Sequence, residues 1–217
     1  HLIPDLVSPS TGVTVTPLSI TVGVNETVTL NCSGLGGPGN TYSWSNGKTT
    51  PTLQLTVRNG TSDGGTYTCV VTNAAGNGSA SATVYVTPII TTQPSDILAV
   101  VNGNVTLVCE AEAFPPPQYV WEHIGGSLAG RSNVMGIKST RLELNGVMFG
   151  DEGGYRCNVT SNGTVISSSI ATITCKSQID NCIYFQSHSC QKFTVACMHV
   201  NIYSTKDLGC SSTMLPL

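Results

Sequence analysis

The chain has 217 residues, of which 10% are charged, and nine Lys and Arg against twelve Asp and Glu give it a formal charge of −3. This balance argues against a polyanion-binding protein, so nucleic acid is not an expected partner. The longest unbroken apolar run, Ile97–Val101, falls far short of the roughly 20 residues that a membrane helix needs. We therefore expect no direct membrane insertion by this segment.

Short strands are predicted along most of the chain. After an N-terminal extension at residues 1–11, apolar residues alternate with polar ones over residues 28–32, 53–57 and 67–71. A period of two is typical of strands with one buried face, and clusters of Gly, Asn and Pro separate these strands at hairpin spacing. No window keeps a helical period, so the chain is predicted to be all-β.

A set of four residues in the first part of the chain occurs again in the second. Each set has a Cys, a Trp twelve residues later, and a Tyr two residues before a second Cys. An aspartate, Asp63 or Asp151, lies four residues before each Tyr. The two sets are Cys32, Trp44, Tyr67 and Cys69, and Cys109, Trp121, Tyr155 and Cys157. The repeat predicts two structural units of the same kind.

The segment Asp-x-Gly-x-Tyr-x-Cys at residues 63–69, preceded by a Cys and a Trp, resembles the immunoglobulin superfamily. Residues 73–76 and 113–121 are similar to parts of the intermediate-set and constant-2-type domains of cell-adhesion molecules and receptor ectodomains. The resemblance implies two tandem immunoglobulin-like β-sandwiches. It also implies the disulfides Cys32–Cys69 and Cys109–Cys157, with Trp44 and Trp121 packed on them and Tyr67 and Tyr155 forming tyrosine corners.

The resemblance covers residues 12–174 and sets the expected domain boundaries. We predict an extension at 1–11, domain 1 at 12–87, domain 2 at 88–174, and a Cys-rich tail or truncated module of uncertain structure at 175–217. The two cysteines of domain 1 are 37 positions apart, against 48 in domain 2, so domain 1 is expected to lack the extra edge strands. Arg131 is the expected partner of Asp151, whereas Asp63 has two candidate partners, a backbone amide or Lys48.

The tail differs in composition, because five of the nine cysteines lie there, at Cys175, Cys182, Cys190, Cys197 and Cys210. One explanation is a third, disulfide-rich module that is cut short. A second is a non-native or alternatively spliced terminus. A third is a metal site formed by His188, Cys190, Cys197 and His199, although these spacings match no standard zinc ribbon. The odd number of cysteines leaves one thiol free or available for an interchain disulfide.

Seven Asn-x-Ser/Thr acceptors, about twice the number expected by chance, point to glycosylation. They are Asn25, Asn31, Asn59, Asn77, Asn104, Asn158 and Asn162. Together with the cysteines, which form no CxxC pair, they predict the oxidising secretory route and an extracellular location, either secreted or at a cell surface.

One sheet face of domain 1 is the predicted contact surface. Its outward residues are Ser43, Ser45, Thr68, Val70 and Thr72, which are uncharged and include no acceptor, and Asn77 is the only acceptor nearby. The alternative is an ordinary solvated sheet without a partner. Similar receptors often bind a protein partner through this face, and the sequence leaves homophilic and heterophilic binding equally open.

The resemblance thus implies an extracellular segment that acts in cell adhesion or ligand recognition within a receptor ectodomain, with a receptor tyrosine kinase as one such parent. The alternative is a secreted matrix or soluble immune-type protein that uses these domains as spacers or recognition modules. We expect no catalysis, cofactor or metal. The letters G-x-S-x-G at residues 60–64 fall in a turn before the predicted tyrosine corner, and not on the strand–turn–helix that a nucleophilic serine needs.

Overall fold

A computed structural model describes residues 12–34, 39–74, 76–179, 182–186, 192–197 and 203–207. The chain forms two compact units. Unit 1 contains the described residues up to Thr91 together with 111–118 and 159–166, and unit 2 contains 92–110, 119–158 and the described residues from Ser167 onward. No helix among the described residues has the length and apolar character required to cross a membrane.

Unit 1 is built from two sheets. Its first seven strands are β1 (Thr14–Thr16), β2 (Ser19–Val22), β3 (Thr27–Ser33), β4 (Thr41–Trp44), β5 (Thr52–Thr56), β6 (Gly65–Asn73) and β7 (Gly76–Thr92). One sheet has the order β1–β3–β5, and the other has the order β7–β6–β4 with β2 parallel to β7. Because residues 45–51 form no strand between β4 and β5, this is the short form that the cysteine spacing predicts.

The alternation of residue types explains the core of unit 1. Strand β3 buries Val28, Leu30 and Cys32 and exposes the residues between them. The other large contributors to this core are Trp44, Leu53, Val57, Val71, Val84 and Val86, against which Phe114 packs. Burying one such aliphatic side chain stabilises the fold by about 1.5–3 kcal/mol.

Neutral hydroxyl groups join neighbouring strands on the outer faces of unit 1. Four pairs of side-chain oxygens lie within hydrogen-bond distance: Thr14–Ser33 at 2.8 Å, Thr27–Thr56 at 2.9 Å, Thr66–Thr83 at 3.4 Å and Thr68–Ser81 at 2.8 Å. Cross-strand Thr and Ser pairs of this kind each contribute a few tenths of a kcal/mol, roughly 0.2–1. They hold the register of the sheets without any charge.

The later strands form a second pair of sheets, apart from Glu110–Phe114, which is hydrogen-bonded to β7. They are β8 (Ile97–Val100), β9 (Val105–Val108), β10 (Glu110–Phe114), β11 (Gln118–His123), β12 (Val134–Met135), β13 (Arg141–Leu144), β14 (Gly153–Ser161), β15 (Thr164–Ser167) and β16 (Ala171–Ile179), with a 3-10 turn at Phe149–Asp151. One sheet has the order β12–β13–β9. The other has the order β11–β14–β16, with β8 parallel to β16. Leu107, Trp121, Leu142, Leu144, Tyr155 and Ile173 are buried in unit 2.

The last described strands continue from β16 as antiparallel neighbours. They are β17 (Cys182–Gln186), β18 (Lys192–Cys197) and β19 (Tyr203–Asp207), in the order β16–β17–β18–β19. Strand β16 runs across the boundary predicted at 174/175, and Cys175 is buried in unit 2. His188, Cys190, His199 and Cys210 lie outside the described residues, and so does the tail metal site that the sequence offered as an alternative.

Candidate functional site

The two Cys-Trp sets lie at the centres of their units. Cys32 is bonded to Cys69, and Cys109 to Cys157. Trp44 and Trp121 are each 2% exposed. The indole Nε1 of Trp44 donates to the carbonyl of Thr50 at 2.8 Å, and that of Trp121 to Ser139 at 2.9 Å, so neither buried N–H lacks an acceptor.

Both tyrosine corners are present. The hydroxyl of Tyr67 donates to the carbonyl of Asp63 at 2.8 Å, and that of Tyr155 to the carbonyl of Asp151 at 2.7 Å. Burial, followed by the charge of Asp151, raises the pKa of Tyr155 to about 12. The ring of His123 stacks on Tyr155 with centroids 4.6 Å apart. These contacts are structural, because they fix the start of β6 and of β14.

The two corner aspartates have different partners. Asp151 is completely buried and is paired with Arg131, as the sequence predicts, while the amide of Met148 and the side chain of Asn133 donate to its second oxygen. Asp63 instead accepts from the backbone amides of Arg58 and Asn59, at 2.8 and 2.9 Å. Of the two candidates for Asp63, the structure thus has the backbone amide and not Lys48.

The carboxylate of Asp63 is expected to make the stability of unit 1 depend on acid pH. The amides of Asn59 and then Arg58 lower its pKa below the ordinary value, because both donate to the charged form. A lowered folded pKa stabilises the fold above the unfolded pKa of about 3.9, and this contribution is lost as the pH falls through the folded value. Asp63→Asn should therefore cost about 1 kcal/mol at neutral pH and flatten the acid limb of the unfolding curve.

Hydrogen exchange of peptides from β6, measured along a pH series in denaturant, isolates unit 1 for this experiment. Tyr67→Phe is the matched control, since it removes the hydroxyl at the same corner and leaves the carboxylate in place. An unchanged acid limb in Asp63→Asn would contradict the assignment.

The seven acceptors remain predicted glycosylation sites, and the structure gives their positions. Asn25, Asn31, Asn77, Asn104 and Asn162 are exposed, whereas Asn59 and Asn158 are half-buried. Asn25 and Asn162 have φ angles of 73° and 46°, the left-handed conformation that Asn tolerates in tight turns. Asn31 faces outward from β3 between Thr16 and Thr52, so an oligosaccharide there would lie over the β1–β3–β5 sheet.

The five residues of the predicted contact surface lie on the outer face of β4 and β6, with Ser45 just beyond the end of β4. Ser43 is opposite Val70, and Ser45 accepts a hydrogen bond from the amide of Thr68 at 3.2 Å. Thr72 is opposite Asn77, so that acceptor belongs to the same face and lies at its edge. We call Ser43, Ser45, Thr68, Val70 and Thr72 the hydroxyl face. It stays a proposed binding surface.

A second exposed surface lies in unit 2, and the sequence analysis does not predict it. The amide of Ile124 donates to the carbonyl of Gly154 at 2.8 Å, and Glu122 is paired with Arg156, which together fix the register of β11 on β14. A Cβ at Gly154 would lie 2.7 Å from Ile170 and 3.4 Å from Ile124, so the two isoleucines flank this glycine. Ile170 is 53% exposed and Ile124 is 43% exposed.

Val120 belongs to the same surface and is 46% exposed. We call Val120, Glu122, Ile124, Gly154, Arg156 and Ile170 the isoleucine face. Its signal in the sequence is the alternation of Val120, Glu122 and Ile124 around the buried Trp121, which assigns Val120 and Glu122 to the outer side of β11 and Ile124 to the position just past its end. Their neighbours on β14 depend on pairing between distant segments, which alternation does not give.

The remaining candidates have structural explanations. Residues 60–64 form a turn in which the side-chain oxygen of Asn59 accepts from the amides of Thr61 and Ser62, both at 2.9 Å, and a strand follows. Within the described part of the chain, no group of three or more His, Cys, Asp and Glu side chains is placed to hold a metal. The thiol of Cys175 donates to the carbonyl of Met148, and burial raises its pKa to about 11, which makes it a poor nucleophile.

Comparison with known proteins gives one family. The model of the immunoglobulin domain matches residues 12–73 and 87–162. Human peroxidasin homolog is 31% identical over 159 residues, which cover 67% of this chain and 11% of that protein. Mouse hemicentin-1 is 34% identical over 158 residues, which cover 64% of this chain and 3% of that protein. The chain thus spans only a small part of these relatives.

The solved structures agree in fold. The crystal structure of the four N-terminal immunoglobulin domains of Dscam1 superimposes with a TM-score of 0.54 at 18% sequence identity, covering 72% of this chain and 43% of that one. At this identity the likeness concerns the fold alone.

Proposed function

Because the chain belongs to the immunoglobulin family, we propose that it is a recognition segment of an extracellular protein, acting in cell adhesion or in ligand binding within a receptor ectodomain. Its relatives are adhesion, receptor-ectodomain and matrix proteins that work outside the cell. The fold is non-catalytic, and the match to peroxidasin runs through immunoglobulin domains. Binding of a protein partner is thus the activity that these units support.

The observation that carries the proposal is the hydroxyl face. Its five side chains share one side of β4 and β6 in register, and none of them is charged. A partner would bind such a surface through shape and neutral hydrogen bonds, which favour specificity over strong electrostatic attraction. An oligosaccharide at Asn77 would limit the usable area to the part of the face away from Thr72.

Bead aggregation and partner capture test this proposal with the full chain secreted from a glycosylating host. Val70→Glu and Thr72→Lys each place a charge on the hydroxyl face and should weaken partner binding at least about tenfold, since an uncompensated buried charge is costly. Thr29→Lys, on the outer side of β3, is the matched control and should bind normally. Unaltered binding by both face variants would rule out this surface.

One observation favours the alternative, a spacer in a matrix or soluble immune-type protein. Thr68 of the hydroxyl face already bonds Ser81, and Ser45 already accepts from the amide of Thr68, so part of the hydrogen-bonding capacity is used within the unit. If the segment is a spacer, the full chain should capture no partner, with or without the hydroxyl-face substitutions.

The narrower proposal is that the parent receptor is a tyrosine kinase. It is tested by sequencing the complete transcript and looking for a kinase domain.

A further inference from the structure

We propose that Asn162 is a site of spontaneous chemical modification, at which the side chain closes on the backbone nitrogen of Gly163 and is converted to aspartate and isoaspartate unless an oligosaccharide occupies it. This modification goes beyond partner recognition, because it concerns the covalent structure of the chain. It depends only on the turn between β14 and β15, so it can fail without the proposed function and the proposed function without it.

Asn followed directly by Gly occurs six times in the chain, at Asn46, Asn59, Asn77, Asn102, Asn145 and Asn162. In this dipeptide the glycine carries no side chain that would hinder the approach of its nitrogen to the side-chain carbonyl of Asn. Ring closure requires that nitrogen to lose its proton and to give up any hydrogen bond that it donates. The bonding of each glycine amide in the fold is therefore expected to decide which pair reacts.

Two pairs outside the glycan acceptors are held in tight turns. The amide of Gly47 donates to the carbonyl of Trp44, and that of Gly103 donates to the carbonyl of Val100, both at 2.8 Å. Each bond has to break before the nitrogen can attack. The net free energy of one hydrogen bond slows the reaction about fivefold, so we expect these pairs to persist longer.

Three further pairs are held by side chains or by a sheet. The amide of Gly146 donates to the side-chain oxygen of Asn104 at 3.1 Å, and that of Gly60 donates to the carboxylate of Glu112 at 3.0 Å. Gly78 lies within β7 and takes part in its pairing with β6. These glycines are therefore restrained as well while the chain is folded.

Asn162 and Gly163 differ from all of these pairs. They form the two-residue loop between β14, which ends at Ser161, and β15, which begins at Thr164. Both have positive φ angles, 46° and 78°, as in the type I′ hairpin turn that favours Asn-Gly. Both are exposed, and a Cβ built on Gly163 would have no atom within 4 Å beyond its neighbours in the chain. Within the described residues no group accepts a hydrogen bond from the amide of Gly163, so this nitrogen is available for attack.

The reaction exchanges an amide for a carboxylate without oxidation or reduction. The nitrogen of Gly163 bonds to Cγ of Asn162 and gives up its proton, and the side-chain nitrogen leaves with that proton as ammonia. Water then opens the resulting ring at either of its carbonyls. One opening gives aspartate, and the other gives isoaspartate, in which the main chain runs through Cγ. Each product adds one negative charge to the exposed turn.

The nitrogen that leaves is also the attachment point of the predicted oligosaccharide, because Asn162, Gly163 and Thr164 form an acceptor triplet. A glycosylated nitrogen would have to leave with its sugar, and the bulk of the sugar opposes the turning of the side chain toward Gly163. The glycan and the modification are therefore alternatives at one side chain. A chain without a glycan at Asn162 carries a turn whose covalent structure changes with time.

Peptide mapping of the secreted full chain, incubated at neutral and at mildly alkaline pH, tests the proposal. Thr164→Ala destroys the acceptor triplet and leaves Asn162 and Gly163 in place. This variant should gain aspartate and isoaspartate at Asn162, faster at the higher pH because the attacking nitrogen must lose a proton. An isoaspartyl carboxyl methyltransferase with a labelled methyl donor detects the isoaspartate. Thr106→Ala is the matched control, because it removes the triplet at Asn104 instead and should leave a glycosylated Asn162 unconverted.

Asn46 and Asn102 are internal controls in the same sample, since neither belongs to an acceptor triplet. In the folded Thr164→Ala chain they should convert at least about fivefold more slowly than Asn162, the factor that one hydrogen bond implies. After reduction and unfolding in denaturant, the three pairs should react at similar rates. No conversion at Asn162, equally fast conversion of the controls in the folded chain, or a difference that persists after unfolding would overturn the proposal. Conversion of the chain glycosylated at Asn162 at the rate of Thr164→Ala would overturn it as well.

Discussion

Replacing Cys109 and Cys157 together with alanine is expected to lower the free energy of unfolding of unit 2 by about 4 kcal/mol, the value that loop entropy gives for its 48-residue separation. Both cysteines are fully buried, so the two alanines also leave a cavity in the core. A domain of this size buries little apolar surface, so we expect unit 2 to be largely unfolded at about 37 °C.

Hydrogen exchange of β14 peptides in the full chain measures this effect for unit 2 alone. Cys175→Ala is the matched control, because it also removes a buried sulfur from unit 2 but no covalent link, and it should cost about 1 kcal/mol. If the double variant is no less stable than this control, the disulfide does not stabilise the folded unit in the way we expect.

Asp151→Ala should have the second largest effect, a loss of about 3 kcal/mol from unit 2. The substitution removes the acceptor of Arg131, Asn133 and the amide of Met148 at once. Arg131 is then left as a partly buried cation without its carboxylate, and the amide of Met148 loses its partly buried hydrogen bond.

Asp151→Asn is the variant that distinguishes charge from hydrogen bonding, since it keeps an oxygen for the amide of Met148 and loses only the ion pair. We expect its stability, measured by chemical denaturation, to lie between those of the wild type and Asp151→Ala. Equal stability of all three proteins would show that the corner forms without this carboxylate.

The features that the sequence predicts well are those fixed by local pattern. Alternation around Cys32 and Cys157 identifies buried strand faces, and the repeated Cys, Trp and Tyr spacing carries the family resemblance and with it the bridges and corners. The spacing of these residues is informative because a disulfide-bonded Cys needs a second Cys, and a buried Trp needs an acceptor for its N–H. Arg131 as the partner of Asp151 belongs to the same group.

The features that the sequence does not predict depend on pairing between distant strands or on the path of a turn. The amides that hold Asp63 come from the bend at Arg58 and Asn59, which has no signature in the residue types. The approach of Ile170 to Ile124 requires β14 to lie between β11 and β16 with one particular register. A one-residue slip of a strand would turn each of its side chains to the other face, so such contacts are fixed only by the strand register of the folded protein.

The hydroxyl pairs that join the strands of unit 1 have a consequence for the medium in which the protein works. The ion pairs Arg131–Asp151 and Glu122–Arg156 belong to unit 2, whereas Thr27–Thr56 and the similar hydroxyl pairs of unit 1 are neutral. Dissolved salt screens exposed charges but acts little on hydroxyl groups in direct contact. The free energy of unfolding of unit 1 is therefore expected to change little between fluids of very different salinity. An extracellular segment is exposed to such differences, because no cell membrane separates it from the surrounding fluid.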